Sequence, residues 1–273
     1  MPGNASADPV TPRRAVVLGG GGLTALAWLA GVLDELPPVL AEADRVVGTS
    51  AGAVLATRML LLDPRLRGAG SDGLDEFAAE LAGVRISTAV AARLVAAQLW
   101  PSRRHALLWL GRSARRARTT LTEDAFVDLV GRAVGGSGWP ASLVVAAVDA
   151  DSGRPAYFTP RSAVELRRAV AASSAMPGVL PTVRIEDRVF LDGGLRSPAN
   201  ADLASGCERV LILAPQGRSV REVRRPAHQA ERLRAEGAEV LLIEDDDPGL
   251  DVMSATALPA ARERGRRAGR AAS

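Results

Sequence analysis

The stretch Arg45–Ala53, Arg-Val-Val-Gly-Thr-Ser-Ala-Gly-Ala, indicates both a fold and a chemistry for this 273-residue chain. Its apolar start, Arg45–Val47, predicts a buried strand, and the helical spacing of apolar residues after it predicts a helix. Between them lies Gly48-x-Ser50-x-Gly52. A nucleophilic serine projects from such a sharp strand-to-helix turn, because glycine permits backbone conformations that a Cβ atom would block. An ordinary strand-to-helix turn with a serine N-cap can have the same residues, so the motif alone does not show that Ser50 is a nucleophile.

A second strand–turn–helix unit lies upstream. Ala15–Leu18 predicts a buried strand, Gly19–Gly22 a tight turn, and Leu23–Leu36 a helix. Two such units predict a parallel α/β sheet with its functional edge at the carboxyl ends of the strands. Four glycines expose consecutive N–H groups for an anion, either an oxyanion or a phosphate. Thr24 breaks the dinucleotide fingerprint and the chain has no Lys for a phosphate loop, so an oxyanion hole is favoured.

The remaining pattern predicts one domain, residues 14–273, after a disordered leader, residues 1–13. The segment from Asp63 to about Ser137 is predicted mostly helical, with a Gly-rich link at Arg67–Gly73. Further expected elements are strands Leu143–Val148 and Pro155–Thr159, helix Ala163–Ala172, hairpin Val183–Leu191, strand Arg209–Leu213, helix Val220–Glu236, strand Glu239–Ile243 and a helix from about Met253.

The turn Asp192-Gly193-Gly194 after the predicted hairpin offers a carboxylate at a strand end. Asp-Gly is also a common turn dipeptide, so this motif gains weight only beside the other two. The chain has two histidines, His105 and His228, and the second falls within a predicted helix. We therefore expect Asp192 to take the proton of Ser50 directly, with a pKa raised by burial. A Ser-His-Asp triad using His228 is the alternative.

Together these motifs resemble the patatin-like phospholipase family, bacterial type. The matching segments are Val17–Thr24, Val47–Ala53, Ala172–Gly178 and Phe190–Gly194. The resemblance implies a three-layer α/β/α fold with a mostly parallel central sheet. It also implies cleavage of lipid carboxylic esters through an acyl-enzyme, without metal or cofactor. By position, the implied catalytic residues are Ser50 and Asp192, the oxyanion-hole residues Gly20, Gly21, Gly22 and Ala51, and the supporting residues Gly19, Gly48, Gly52, Gly193 and Gly194. In one departure, Thr24 and Ala25 stand where many members have a basic residue and Gly.

Composition bounds the expected partners and location. A net charge of +3 does not argue for nucleic acid, and the lone Cys207 fits a reducing compartment. Without a signal peptide or an 18-residue apolar run, we expect a cytoplasmic protein. The Arg- and Trp-rich stretch 94–118 fits peripheral contact with an anionic membrane, although an amphipathic core helix with a solvated Arg face is favoured. A non-catalytic lipid-binding module on the same fold is a further alternative.

Overall fold

Eight β-strands form one mixed sheet in the computed structural model, which describes residues 13–36, 38–62, 72–217, 219, 221–247, 249 and 251–273. The strands of these residues are β1 Arg14–Leu18, β2 Arg45–Thr49, β3 Leu143–Asp149, β4 Pro155–Phe158, β5 Val183–Ile185, β6 Arg188–Asp192, β7 Arg209–Ala214 and β8 Glu239–Glu244. Strands β3, β2, β1, β7 and β8 pair in parallel, whereas β4 and β6 run antiparallel to β3. The leader predicted at residues 1–13 lies outside the described residues except for Arg13.

Helices cover both faces of this sheet. The α-helices of the described residues are α1 Gly22–Glu35, α2 Ala51–Leu61, α3 Asp72–Leu81, α4 Thr88–Leu99, α5 Arg103–Arg116, α6 Glu123–Val134, α7 Leu166–Ser173, α8 Pro226–Ala235 and α9 Leu258–Ala272. Side chains alternate along β1, so that Val16 and Leu18 join the core with α1, α2 and α6, whereas Ala15 and Val17 face α8. The three-layer α/β/α fold with a mostly parallel sheet is therefore confirmed.

Several boundaries differ from the expectation for physical reasons. Helix α8 begins at Pro226 and not near residue 220, because a residue before proline disfavours the helical conformation. The stretch 94–118 spans parts of two helices separated at Pro101. Helix α5 buries one face, as the core-helix interpretation expects, but no residue of α4 is buried. The predicted link Arg67–Gly73 falls largely on residues outside the described ranges.

The pairing of β3 determines where the ends of two other strands meet. Strand β4 pairs with β3 across both Ala146 and Ala147, so it occupies one flank of β3 there. On the other flank β2 ends with Thr49 opposite Ala146, and β6 ends with Asp192 opposite Ala147. Because β2 is parallel and β6 antiparallel to β3, their carboxyl ends meet head to head. Ser50 and Asp192 are neighbours for this reason.

Candidate active site

Ser50 lies on a strained turn between β2 and α2. Its backbone has φ 52° and ψ −121°, a conformation that a residue with a side chain rarely adopts. Such strain persists at functional sites when the surrounding structure holds it. Gly52 allows the helix to approach, because a Cβ atom there would lie 2.2 Å from the carbonyl oxygen of Leu18. A Cβ atom on Gly48 would similarly lie 2.6 Å from the Cα of Ala53, so both flanking glycines serve the turn.

The hydroxyl of Ser50 is hydrogen-bonded to a buried carboxylate. Ser50 Oγ donates to Asp192 Oδ2 at 2.7 Å, and the Gly194 N–H donates to Asp192 Oδ1 at 2.7 Å. Desolvation raises the pKa of Asp192 to about 6, although the bonds from Ser50 and Gly194 act in the opposite direction. The carboxylate is therefore a stronger proton acceptor than an exposed aspartate while remaining mostly ionised at neutral pH.

Two polar side chains that the sequence motifs did not single out, Ser173 and Asn200, hold Ser50 and Asp192 in place. Ser173 accepts the N–H of Ser50 at 2.9 Å and donates to the carbonyl oxygen of Ala146 at 2.6 Å. The buried amide of Asn200 donates to Thr49 Oγ1 at 3.0 Å and to the Gly193 carbonyl oxygen at 3.2 Å. Asn200 thus ties the residue before Ser50 to the residue after Asp192. No local pattern identified it, because Thr49 is 151 residues away along the chain.

The glycine loop has a smaller set of available donors than the sequence suggested. Gly19 N–H is bonded to the Leu213 carbonyl at 2.9 Å, and Gly20 N–H to the Pro198 carbonyl at 2.8 Å. Gly20 was expected to donate to the oxyanion, but its amide already has an acceptor. Three other residues were expected in the oxyanion hole: Gly21, Gly22 and Ala51. Within the described ranges, their N–H groups have no hydrogen-bond acceptor. These three remain as the candidate oxyanion hole.

Replacing Gly21 with Ala is expected to lower kcat by about 10²–10³-fold, the usual effect of displacing one oxyanion donor. Gly21 has φ 146°, and a Cβ atom there would lie 2.7 Å from Gln216 Cγ and 2.9 Å from Ala25 Cβ. Alanine is also strained at this φ, so we expect the loop to shift. Gly237→Ala is the matched control, because Gly237 has φ 97° but a Cβ atom there would meet nothing within 4 Å. Equal kcat values for the two variants in ester hydrolysis would contradict the assignment.

A pocket of about 270 Å³ opens onto the dyad. Ser50 and Asp192 line it, as do Gly20, Gly21 and Gly194. Much of the remaining wall is apolar and comes largely from α4 and α5: Leu94, Ala97, Ala106, Leu107, Leu110, Met176, Leu195, Pro198 and Val252. Neither histidine is among the described residues that line the pocket: His105 is exposed on α5 and His228 is half-buried on α8. The geometry therefore gives no support to the His228 triad.

Comparison with known proteins decides the family. The sequence model of the family described as patatin-like phospholipase matches residues 16–205, which include both Ser50 and Asp192. The chain belongs to the patatin-like phospholipase family. Membership supports a lipid-hydrolase function in general terms, as the sequence motifs predicted. No curated protein matches the chain.

The chain is also similar to two solved structures. The type III effector protein ExoU shares 18% identity with it at a TM-score of 0.38, and VipD from Legionella pneumophila 13% at 0.44. Each match covers 96% of this chain. The chain spans 53% of the ExoU chain and 66% of the VipD chain.

Proposed function

We propose that this protein is a serine acyl hydrolase that cleaves carboxylic esters of lipids through a Ser50–Asp192 dyad. The observation that carries the proposal is the 2.7 Å hydrogen bond from Ser50 Oγ to the buried Asp192 carboxylate. A strained nucleophile turn, an oriented base and an apolar pocket are the elements that acyl transfer requires. The pocket wall from α4 and α5 suits an acyl chain, because it offers apolar side chains beside the nucleophile.

In the proposed mechanism Asp192 accepts the proton of Ser50 while Oγ attacks the ester carbonyl carbon. The N–H groups of Gly21, Gly22 and Ala51 stabilise the negative charge that develops on the carbonyl oxygen, assisted by the amino terminus of α2. Collapse of the tetrahedral intermediate breaks the ester bond, and protonated Asp192 returns its proton to the departing alcohol. Water then attacks the acyl-serine while Asp192 accepts its proton. As the acyl–oxygen bond breaks, Asp192 gives this proton to Ser50 Oγ, which releases the fatty acid and restores both residues.

We propose that the catalytic unit is one domain spanning residues 14–273, beyond the segment that the family model matches. Strand β7 pairs in parallel with β1, which leads into the glycine loop, and Gly19 N–H is bonded to the β7 residue Leu213. Helix α9 packs closely on α1, since a Cβ atom on Gly265 would lie 2.0 Å from the Trp28 carbonyl oxygen. The carboxyl-terminal elements therefore support the loop that would hold the oxyanion.

Trapping the acyl-enzyme tests the proposed reaction. The protein is mixed with a short-chain p-nitrophenyl ester, quenched in acid and analysed by mass spectrometry. We expect a burst of p-nitrophenol and an acyl adduct on the peptide that contains Ser50. An active protein whose adduct lies on another residue would contradict an acyl-Ser50 intermediate.

We also propose that α4 and the corner after it contact the lipid surface. Val95 is 55% exposed, Leu99 65% and Trp100 39%. No residue of α4 is buried, and yet Leu94 and Ala97 of this helix line the catalytic pocket. No helix of the described residues is long and apolar enough to cross a membrane. A partly inserted apolar helix would bring the pocket to its substrate.

Replacing both Val95 and Leu99 with Ser is expected to weaken binding to phosphatidylglycerol-containing vesicles by about tenfold or more, because two apolar side chains lose their burial in lipid. Vesicle co-sedimentation measures the effect. Leu241→Ser is the control, since Leu241 is 48% exposed on β8 and does not line the catalytic pocket. Undiminished vesicle binding by the double variant would rule out α4 as the contact.

A further inference from the structure

Two arginine side chains line the catalytic pocket, and among the described residues neither of them forms an ion pair. Arg103 begins α5, Arg224 precedes α8, and both line the pocket that contains Ser50. Within the described residues neither guanidinium has a hydrogen-bond or salt-bridge partner, and Arg103 Nε is buried without an acceptor. An unpaired cation that is partly removed from water is costly unless an anion compensates it.

Further positive charge surrounds these two residues. Burial, followed by the charges of Arg196 and Arg221, lowers the pKa of Arg103, while Asp202 acts in the opposite direction. Burial, followed by Arg103, Arg221 and Arg196, lowers the pKa of Arg224 to about 10. The neighbours themselves have partners: Arg196 is bonded to Asp202 and Arg221 to the carbonyl oxygen of Trp100. Asp202 neutralises Arg196, whereas Arg221 is bonded only to carbonyl oxygens and keeps its charge. Within the described part of the chain, Arg103 and Arg224 are the members of this cluster whose guanidinium groups have no hydrogen-bond partner.

A third unpaired donor connects this charge to the glycine loop. Gln216 lines the same pocket, and its Nε2 is buried without a hydrogen-bond partner. The same atom lies 3.4 Å from the position that a Cβ atom on Gly21 would occupy. The unpaired donors therefore extend from the arginines to the candidate oxyanion hole.

We propose that Arg103, Gln216 and Arg224 form a subsite for an oxyanion group of the substrate, of phosphate type, close to the scissile ester. This inference rests on the proposed esterase function and specifies its substrate class: acyl esters that carry a negatively charged phosphate. Guanidinium groups suit such a group because they donate parallel, charge-assisted hydrogen bonds to two oxygens at once. The apolar wall from α4 and α5 would then hold the acyl chain.

The test compares two soluble substrates that share one acyl ester, butyrylglycerol phosphate and butyrylglycerol. The readout is the ratio of their kcat/KM values. We expect the wild type to prefer the phosphate, and each of Arg103→Gln and Arg224→Gln to reduce that ratio by about tenfold, mainly through KM, as for the loss of one charged hydrogen bond. Arg116→Gln is the matched control, because this exposed arginine lies on α5 but not in the pocket, and its ratio should equal that of the wild type.

Binding measurements separate the subsite from catalysis and from adventitious anion binding. Calorimetric titration of butyrylglycerol phosphate into Ser50→Ala should show binding that weakens about tenfold when Arg103→Gln is added. Equal kcat/KM values for the two esters in the wild type would overturn the subsite and leave the esterase standing. Inhibition by inorganic phosphate without any preference for the phosphate ester would also overturn the subsite. The arginines would then bind free anions only. Turnover of neither ester would count against the proposed function, and the titration would still decide the subsite.

Discussion

Asp192→Asn is expected to lower kcat for ester hydrolysis by about 10⁴-fold or more, because residues that act as a catalytic unit fail when either is lost. The amide retains the shape of the side chain and can accept the Gly194 N–H, but it does not accept the proton of Ser50. His228→Ala is the control and should retain the wild-type kcat, since His228 does not line the pocket. Loss of activity in His228→Ala would favour the triad, in which the histidine takes the proton of Ser50.

The pKa of Asp192 adds a pH dependence to this prediction. For the wild type, kcat/KM should rise as the pH passes through about 6, the value to which burial raises the pKa of Asp192. The free energy of unfolding changes in the opposite direction and falls as the pH rises, because the folded state holds the proton of Asp192 more tightly than the unfolded state. This contribution to stability is complete below the usual value of 3.8 and is lost as the pH rises through about 6.

Asp192→Asn, which cannot ionise, should therefore have a Tm at least equal to that of the wild type above this pH range. Thermal unfolding followed by circular dichroism measures the comparison. A large loss of stability in Asp192→Asn would show that the carboxylate is structural, and the loss of activity would then say little about catalysis.

Ser50→Ala is expected to reduce turnover to the background rate, a loss of about 10⁶-fold in kcat, because removal of a nucleophile leaves no route through an acyl-enzyme. The variant should remain folded, since alanine fits the volume and the main-chain hydrogen bond to Ser173 does not involve the lost hydroxyl. The measurement is release of p-nitrophenol together with the mass of the acid-quenched protein.

Ser174→Ala provides the matched control for Ser50→Ala. Ser174 is also buried, but its hydroxyl donates to the Val170 carbonyl at 3.1 Å, within α7 and its C-cap. We expect this variant to form the acyl adduct at the wild-type rate. Residual turnover in Ser50→Ala well above background would mean that another group acts as nucleophile.

The sequence predicted most of what depends on local patterns. The two strand–turn–helix units predicted β1, α1 and β2 close to their observed bounds, and α2 as the helix after Ser50, because short apolar runs and helical apolar spacing are local signals. The strained turn at Ser50 followed from the glycine spacing around it, since the strain needs small neighbours on both sides. Local sequence did not predict which glycine N–H groups are available. The N–H of Gly20 is bonded to the carbonyl oxygen of Pro198, a residue far along the chain.

What the sequence did not predict depends on which strand lies beside which. The head-to-head meeting of β2 and β6 on one flank of β3 follows from sheet register and not from local composition. The role of Asn200, which bonds to both strand ends, follows from the same register. The unpaired arginines at the pocket were hidden for another reason: in a chain with 34 basic residues, composition alone does not separate a solvated arginine from one without a partner.

Labelling with a fluorophosphonate probe tests the central claim, that Asp192 activates Ser50, most directly. The probe is applied to folded wild-type protein, Ser50→Ala, Asp192→Asn and His228→Ala, and labelling is followed over time. The account predicts rapid labelling of the wild type and of His228→Ala, none of Ser50→Ala, and labelling of Asp192→Asn that is slower by orders of magnitude. Labelling of Asp192→Asn at the wild-type rate, or of Ser50→Ala, would contradict it.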